Sequence, residues 1–177
     1  MSIDLQQDFF ALFGLPRRFR LDEAALELAY HDLQARVHPD RFAHLPDSEK
    51  RRSMQWATRV NEAFRTLRKA LPRATYLLEL EGVDAGLHTN TAMSPAFLME
   101  QMEWREAVAE ARNAGDVDEL AQLHHRLRQH GRDVFDALAE QIDTQHDYAA
   151  AAETVRRLMF MEKLQHEIDD ALEALET

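Results

Sequence analysis

The sequence contains no cysteine, and glycine and proline account for only five residues each among its 177. Without a thiol, the chain has no disulfide bond, no cysteine nucleophile and no thiolate ligand for zinc or an iron–sulfur cluster. So few glycines and prolines leave little material for the many tight turns of an all-β fold. Residues that favour helices, such as alanine, leucine, glutamate and arginine, are abundant instead. We therefore predict an all-α protein.

Positive charge is also in short supply, because 21 lysine and arginine residues face 32 aspartate and glutamate residues, a net charge of -11. Phosphate backbones require a basic field, so we expect no nucleic-acid partner. No run approaches the roughly 18 apolar residues of a membrane span, and residues 1–4 lack the basic-then-apolar order of a signal peptide. We expect a cytoplasmic protein with no membrane association and no cofactor.

The charge is distributed unevenly along the chain. Residues 1–80 carry 13 lysines and arginines against 11 acidic residues, whereas residues 81–177 carry 8 against 21. Residues 81–90 hold two of the five glycines and show no helical periodicity. We predict a first unit over residues 1–80, a linker over 81–93 and a second unit over 94–177.

The first unit is predicted to contain two long helices between two short ones. The second helix begins after the N-cap Asp22 and ends at His38, because Pro39 disfavours helical geometry in the residue before it. The third is capped by Asp47 and runs to Pro72. Short connections favour antiparallel neighbours, so we predict an antiparallel hairpin. The expected apolar faces of the four helices consist of Phe9, Leu12, Phe13, Leu26, Tyr30, Leu33, Val37, Ala57, Val60, Phe64, Leu67, Leu71, Tyr76, Leu77, Leu78 and Leu80.

The second unit is predicted to be an antiparallel three-helix bundle. Ser94 followed by Pro95 is a strong helix start, and that helix ends near Gly115. A second helix spans about residues 117–142, and a third begins near Tyr148. Their expected core residues are Phe97, Trp104, Val108, Ala111, Leu120, Leu123, Leu127, Val134, Leu138, Ile142, Val155, Leu158, Met161, Leu164, Ile168, Leu172 and Leu175.

The tripeptide His38-Pro39-Asp40 lies on the loop between the two long helices. Proline restricts the backbone there, so an imidazole and a carboxylate are held in a defined relation on the surface, as recognition by another protein requires. The alternative is a general acid–base pair, which needs a concave apolar pocket that a loop tip does not suggest. We predict protein recognition and no catalytic residue.

A second candidate surface lies on the first helix of the bundle, beside its core face. It consists of an apolar group followed by an acidic row, a combination that suits partner recognition because methionine adapts its shape and carboxylates orient the encounter. Its members are Leu98, Met99, Met102, Glu103, Glu106 and Glu110, with Phe160 of the last helix expected to face outward beside them. From periodicity alone, the alternative is a wide core face next to an ordinary solvated side.

Three histidines of the second bundle helix, His124, His125 and His130, raise the alternative of a metal site. Helical spacing separates the first two by about 100°, and no cysteine accompanies them. We predict packed or surface histidines and no metal. Trp56 and Trp104 are predicted to be packing residues.

Four segments together resemble the J-domain family, and within it the J-type co-chaperones of iron–sulfur cluster assembly. They are Phe9-Phe10-Ala11-Leu12-Phe13-Gly14-Leu15-Pro16, His38-Pro39-Asp40-Arg41-Phe42, Arg73-Ala74-Thr75-Tyr76-Leu77-Leu78 and Phe97-Leu98-Met99-Glu100-Gln101. The resemblance spans nearly the whole chain. It implies a J domain in the first unit and a scaffold-binding bundle in the second.

The resemblance also implies the partners. His38, Pro39 and Asp40 are expected to contact a DnaK-class chaperone, HscA, and to stimulate its ATP hydrolysis. The bundle is expected to hold the cluster scaffold IscU through the positions of the second candidate surface. A general J-protein with other clients is the alternative. We expect a monomer, and weak self-association is left open.

Basic residues depart from the usual J-domain pattern, in which they line the second helix. Between Asp22 and Val37 only Arg36 is basic. The positive contribution to the chaperone contact is therefore assigned to Arg36 and Arg41, with support from the arginines at 17, 18 and 20. The alternative for these arginines is solvated surface.

Overall fold

The computed structural model describes residues 6–86 and 93–176. All regular structure in these two ranges is helical, which confirms the predicted fold class. The elements are α1 (Phe9–Phe13), α2 (Glu23–Val37), a 3₁₀ turn (Pro39–Phe42), α3 (Asp47–Arg68), α4 (Ala70–Leu80), α5 (Pro95–Ala114), α6 (Val117–Ala139), a π-helical segment (Glu140–Gln145) and α7 (Tyr148–Glu176). Within the described ranges no helix has the length and apolarity to cross a membrane.

The chain divides into two compact units, Met1–Leu77 and Leu78–Thr177. In the first unit α2 packs on α3, and α1 lies against both. Asp22 caps α2 as predicted, accepting a hydrogen bond from the Ala25 N–H at 3.0 Å. The hairpin interior is formed by residues that are buried on their helical faces, among them Phe9, Phe13, Leu26, Val37, Trp56, Val60, Ala63 and Leu67. Apolar burial of this kind is the main force that holds short helices together.

Three details of the first unit differ from the sequence predictions. Asp47 is the first residue of α3 rather than its cap, and Pro46 occupies the cap position without a side-chain hydrogen bond. In α1 the fully buried ring is that of Phe10, whereas Leu12 is only half-buried. Phe10 is buried because it stacks on Tyr76, with ring centroids 6.1 Å apart.

The predicted end of α3 at Pro72 is also wrong. The helix ends at Arg68, Lys69 adopts an extended conformation, and α4 begins at Ala70. Proline is tolerated in the first turn of a helix, where its missing N–H has no helical acceptor to bond. Pro72 therefore lies in the start of α4, and the short fourth helix predicted around Tyr76 is longer than expected.

A buried arginine fixes this junction. Arg73 is 2% exposed, its Nη1 donates to the carbonyl oxygen of Leu67 at 2.7 Å, and its guanidinium lies over the Phe19 ring at 5.1 Å. The carbonyl belongs to the last turn of α3, where no helical N–H is available to it. Arg73 therefore ties the end of α3 to the start of α4.

In the second unit α5, α6 and α7 pack against one another in a bundle, as predicted. Ser94 caps α5 by accepting from the Phe97 N–H at 3.3 Å, and Gly115 ends the helix with φ +64°. The predicted continuation of α6 to residue 142 is interrupted by the π-helical segment, although Ile142 is buried as expected. Trp104 is half-buried, and the Arg126 guanidinium lies 6.0 Å from its ring centroid.

Part of the predicted linker is described, and residues 87–92 lie outside the described ranges. Ala85 is buried, and its carbonyl oxygen accepts a hydrogen bond from Nη1 of Arg156 on α7 at 2.9 Å. The residues that follow α4 are thus attached to the second unit.

Candidate functional site

The His38-Pro39-Asp40 tripeptide forms a turn at the end of α2. His38 has extended backbone angles (φ -57°, ψ 130°), and Pro39 begins the 3₁₀ turn. The His38 Nδ1 accepts a hydrogen bond from the Asp40 N–H at 3.3 Å and lies 3.5 Å from Asp40 Oδ2. The two side chains are nevertheless 54% and 90% exposed. Both functional groups are therefore accessible to another protein.

The turn is attached to α3 by a polar and an aromatic contact. The Ser53 hydroxyl, fully buried, donates to the carbonyl oxygen of Val37 at 2.7 Å. The Phe42 ring lies edge-on to buried Trp56, with centroids 6.2 Å apart. These contacts flank the tripeptide on both sides and hold its backbone in place. Sequence reasoning missed Ser53, although its position seven residues before Val60 on the buried face of α3 was the available signal.

The two arginines assigned to the chaperone contact make contacts within the chain. Arg36 Nη1 lies 3.0 Å from Asp32 Oδ2, one helical turn away. Arg41 Nη1 donates to the carbonyl oxygen of Ala35 at 3.3 Å, and its side chain is exposed beside the turn. Of the more distant arginines, Arg17 forms an ion pair with Asp8 at 2.7 Å. Arg41 is thus the assigned cation directly adjacent to the tripeptide.

The second candidate surface is brought together on the outer side of α5. We call it the α5 face, defined as Leu98, Met99, Met102, Glu103, Glu106 and Glu110. All six side chains are exposed, with Met99 at 63% and Met102 at 70%. Exposed apolar residues grouped in this way are characteristic of interaction sites. The three carboxylates continue the face toward the C-terminal end of the helix.

The prediction that Phe160 faces outward is wrong. Its side chain is 7% exposed, and its ring lies edge-on to Phe97 of α5 at 6.0 Å, with the Arg105 guanidinium 5.6 Å from its centroid. Phe160 is buried because α7 packs against both α5 and α6, so a second side of the helix is covered. It supports α5 from beneath the α5 face.

The histidines of α6 have separate contacts. His124 Nε2 lies 3.3 Å from an Asp169 carboxylate oxygen on α7, and His130 Nε2 lies 2.8 Å from a Glu100 oxygen on α5. His125 contacts the Gln129 side chain. In the described part of the chain, no group of three or more histidine, aspartate and glutamate side chains is arranged to hold a metal ion.

Comparisons with known proteins show which family the chain resembles. The family model described as the HSCB C-terminal oligomerisation domain matches residues 93–169. A protein of Aromatoleum aromaticum named co-chaperone protein HscB homolog is 83% identical over 177 residues, which is 100% of both chains. The solved structure of chaperone HscB from Vibrio cholerae is 34% identical with a TM-score of 0.83, covering 96% of this chain and 99% of that one. Human co-chaperone HscB is 30% identical with a TM-score of 0.88, covering 96% of this chain and 84% of that one. The chain belongs to the HscB family of co-chaperones.

Proposed function

We propose that this protein is a cytoplasmic co-chaperone of iron–sulfur cluster assembly that brings the scaffold IscU to the DnaK-class chaperone HscA and stimulates the HscA ATPase. In this proposal a J domain over residues 1–80 engages the chaperone, and the bundle over residues 94–177, joined through 81–93, engages the scaffold. The observation that carries the proposal is the exposure of His38 and Asp40 on the turn of a helical hairpin, in a chain of the HscB family.

The turn acts on the chaperone by contact rather than by chemistry of its own. His38 and Asp40 are exposed on a protruding turn, whereas proton transfer to a substrate requires a group held in a site that excludes water. A surface that binds only the hydrolysis-competent conformation of the chaperone raises the population of that conformation. ATP is therefore hydrolysed by the partner chaperone and not by this protein.

Charge makes a small contribution to the encounter with the chaperone. The exposed side of α2 carries Glu23 and Glu27, and its single arginine is already paired with Asp32. Exposed ion pairs contribute little to affinity, so long-range attraction through α2 is weak. The contact then depends on the turn itself and on adjacent Arg41.

His38→Gln tests the chaperone role. We expect the variant to lose stimulation of the HscA ATPase while keeping its fold, because the imidazole is largely exposed. The matched control is His44→Gln, which replaces an exposed histidine on the same loop. Unchanged stimulation by the His38 variant, or an equal loss from both variants, would contradict the assignment.

Binding to IscU is assigned to the α5 face, since its methionines are the most exposed apolar side chains on the bundle surface that the structure describes. Replacing Met99 and Met102 with alanine should weaken IscU binding by about 1–3 kcal/mol, or one to two decades in Kd. Val117→Ala removes an exposed apolar group from α6 and should leave Kd unchanged. Isothermal titration with purified IscU distinguishes these results.

The same titration separates the scaffold role from a general J-protein role. A preference for folded IscU over unfolded polypeptides supports the specialised function. Equal binding to unfolded polypeptides through the same residues would instead favour a J-protein with broad clients.

A further inference from the structure

One carboxylate joins all three helices of the bundle near the start of α5. Glu100 Oε1 lies 2.8 Å from His130 Nε2 on α6, and Glu100 Oε2 lies 3.5 Å from Arg157 Nε on α7. All three side chains are half-buried, so water screens the contacts less than at an open surface. The imidazole donates to Glu100 from Nε2 in either its protonated form or the matching neutral tautomer.

The same part of α5 is fixed from below by aromatic packing. The ring of Phe97 is fully buried and lies edge-on to Phe160, and the Arg157 guanidinium lies 5.3 Å from the Phe97 centroid. Arg157 therefore contacts α5 twice, once through the Phe97 ring and once through Glu100. These polar and aromatic contacts converge on the first two turns of the helix, which carry Leu98, Met99 and Met102.

We propose that Glu100 is a positioning residue for the α5 face. By joining α6 and α7 it holds the first two turns of α5 in one orientation, so the apolar residues on the opposite side are preorganised for a partner. Helix ends open more readily than helix centres, and ordering a mobile segment on binding reduces affinity. The proposal rests on the proposed function for the identity of the partner, IscU, but the attachment of α5 is a property of the free protein.

The first measurement is amide hydrogen exchange of the free, full-length protein. Glu100→Ala should speed exchange of the amides at residues 99–103 by about fivefold or more, because opening of a local segment controls that rate. The matched control is His124→Ala, which cuts a similar half-buried contact, 3.3 Å from His124 Nε2 to Asp169, between α6 and α7. The His124→Ala variant should leave the exchange rates of the amides at residues 99–103 unchanged.

The second measurement is titration of the same variants with IscU. Glu100→Ala should weaken binding about three- to tenfold with a less favourable binding entropy, as expected when the partner must order the helix. Glu100→Gln retains an oxygen for His130 and should recover most of the affinity. His130→Ala removes the same contact from the α6 side and serves as the test variant if the Glu100→Ala protein does not fold.

Each outcome decides the proposal. Unchanged exchange at residues 99–103 in the variant that lacks the Glu100–His130 contact overturns it, as does an equal increase in the His124 variant, which would indicate general loosening of the bundle. Weaker binding without faster exchange would mean that Glu100 touches the partner directly. If the unaltered protein does not bind IscU at all, the proposed function fails, while the exchange data still show whether Glu100 holds α5.

Discussion

The Ser53 hydroxyl donates a 2.7 Å hydrogen bond to the carbonyl oxygen of Val37, the residue that immediately precedes the His38-Pro39-Asp40 turn. Val37 is the last residue of α2, so its carbonyl has no helical N–H partner. Both residues are buried, and a buried carbonyl oxygen without a hydrogen-bond donor would destabilise the folded state. One hydroxyl on α3 thereby satisfies the end of α2 and fixes the point from which the turn begins.

Ser53→Ala should lower the free energy of unfolding by about 1 kcal/mol, since it removes the hydrogen bond and leaves the Val37 carbonyl buried without its partner. The start of the turn should also become more mobile. We expect urea denaturation to show the loss of stability and the HscA ATPase assay to show weaker stimulation than the unaltered protein gives.

Ser48→Ala is the control for this prediction, because Ser48 is exposed in the first turn of the same helix. It should change neither measurement. A full loss of stability with no change in stimulation would show that the hydroxyl serves the fold and not the turn.

Arg73→Ala should destabilise the first unit by about 2–4 kcal/mol, because it removes both the 2.7 Å bond to the Leu67 carbonyl and the packing of a buried side chain against Phe19. Arg73→Lys should recover only part of the stability that the alanine variant loses, because an ammonium group lacks the planar guanidinium that lies over the Phe19 ring. Thermal and urea unfolding of the full chain measure both effects. The exposed Arg65, replaced by alanine, provides a control that should change stability by less than about 0.5 kcal/mol.

Local signals in the sequence predicted most of the secondary structure, and tertiary contacts account for the differences. Asp22 and Ser94 were identified as caps because capping depends on neighbouring residues alone. The break at Lys69 has no glycine or proline to mark it, and it is fixed instead by Arg73, which bonds the nearby Leu67 carbonyl and packs on the ring of Phe19, far away in the sequence.

The candidate site shows the same division between local and tertiary information. The turn follows from spacing within one segment, whereas the α5 face was predicted from spacing together with the family resemblance, because periodicity alone left a wide core face open. Phe160 could not be placed by a single helical stripe, because α7 contacts two helices and buries two of its sides. The contacts of Glu100 join residues that are 30 and 57 positions away in the sequence, which no local pattern specifies.

The Asp8–Arg17 ion pair should make the stability of the first unit depend on pH. Burial alone would raise the pKa of Asp8, but the Ala11 N–H and the Arg17 guanidinium together bring it below its ordinary value of 3.8. The unfolded chain then binds a proton more readily than the folded one, so the stabilisation is complete above pH 3.8 and is lost as the pH falls through the lower folded pKa.

Asp8 is the N-cap of α1 and accepts a hydrogen bond from the Ala11 N–H. Asp8→Asn isolates the contribution of the ion pair, because asparagine is as good an N-cap as aspartate but carries no charge. The difference in unfolding free energy between the two proteins should be largest near neutral pH and shrink below 3.8, as measured by urea denaturation across the pH range. Arg17→Gln should reduce the pH dependence as well. A difference that stays constant with pH would exclude the ion pair as its source.

The three carboxylates of the α5 face should act mainly on the rate at which the scaffold associates. Replacing Glu103, Glu106 and Glu110 with glutamine should slow association with IscU by about tenfold at low ionic strength, because exposed charges steer encounter more than they add to contact energy. The difference in association rate between the altered and unaltered proteins should shrink as salt is added, because salt screens the exposed charges that attract the two partners. Stopped-flow measurements at several salt concentrations test this.

A control protein carries the same change in net charge at three exposed acids elsewhere in the second unit, Asp118, Glu140 and Glu167. Equal slowing of both proteins would mean that total charge, and not its position on α5, governs the encounter.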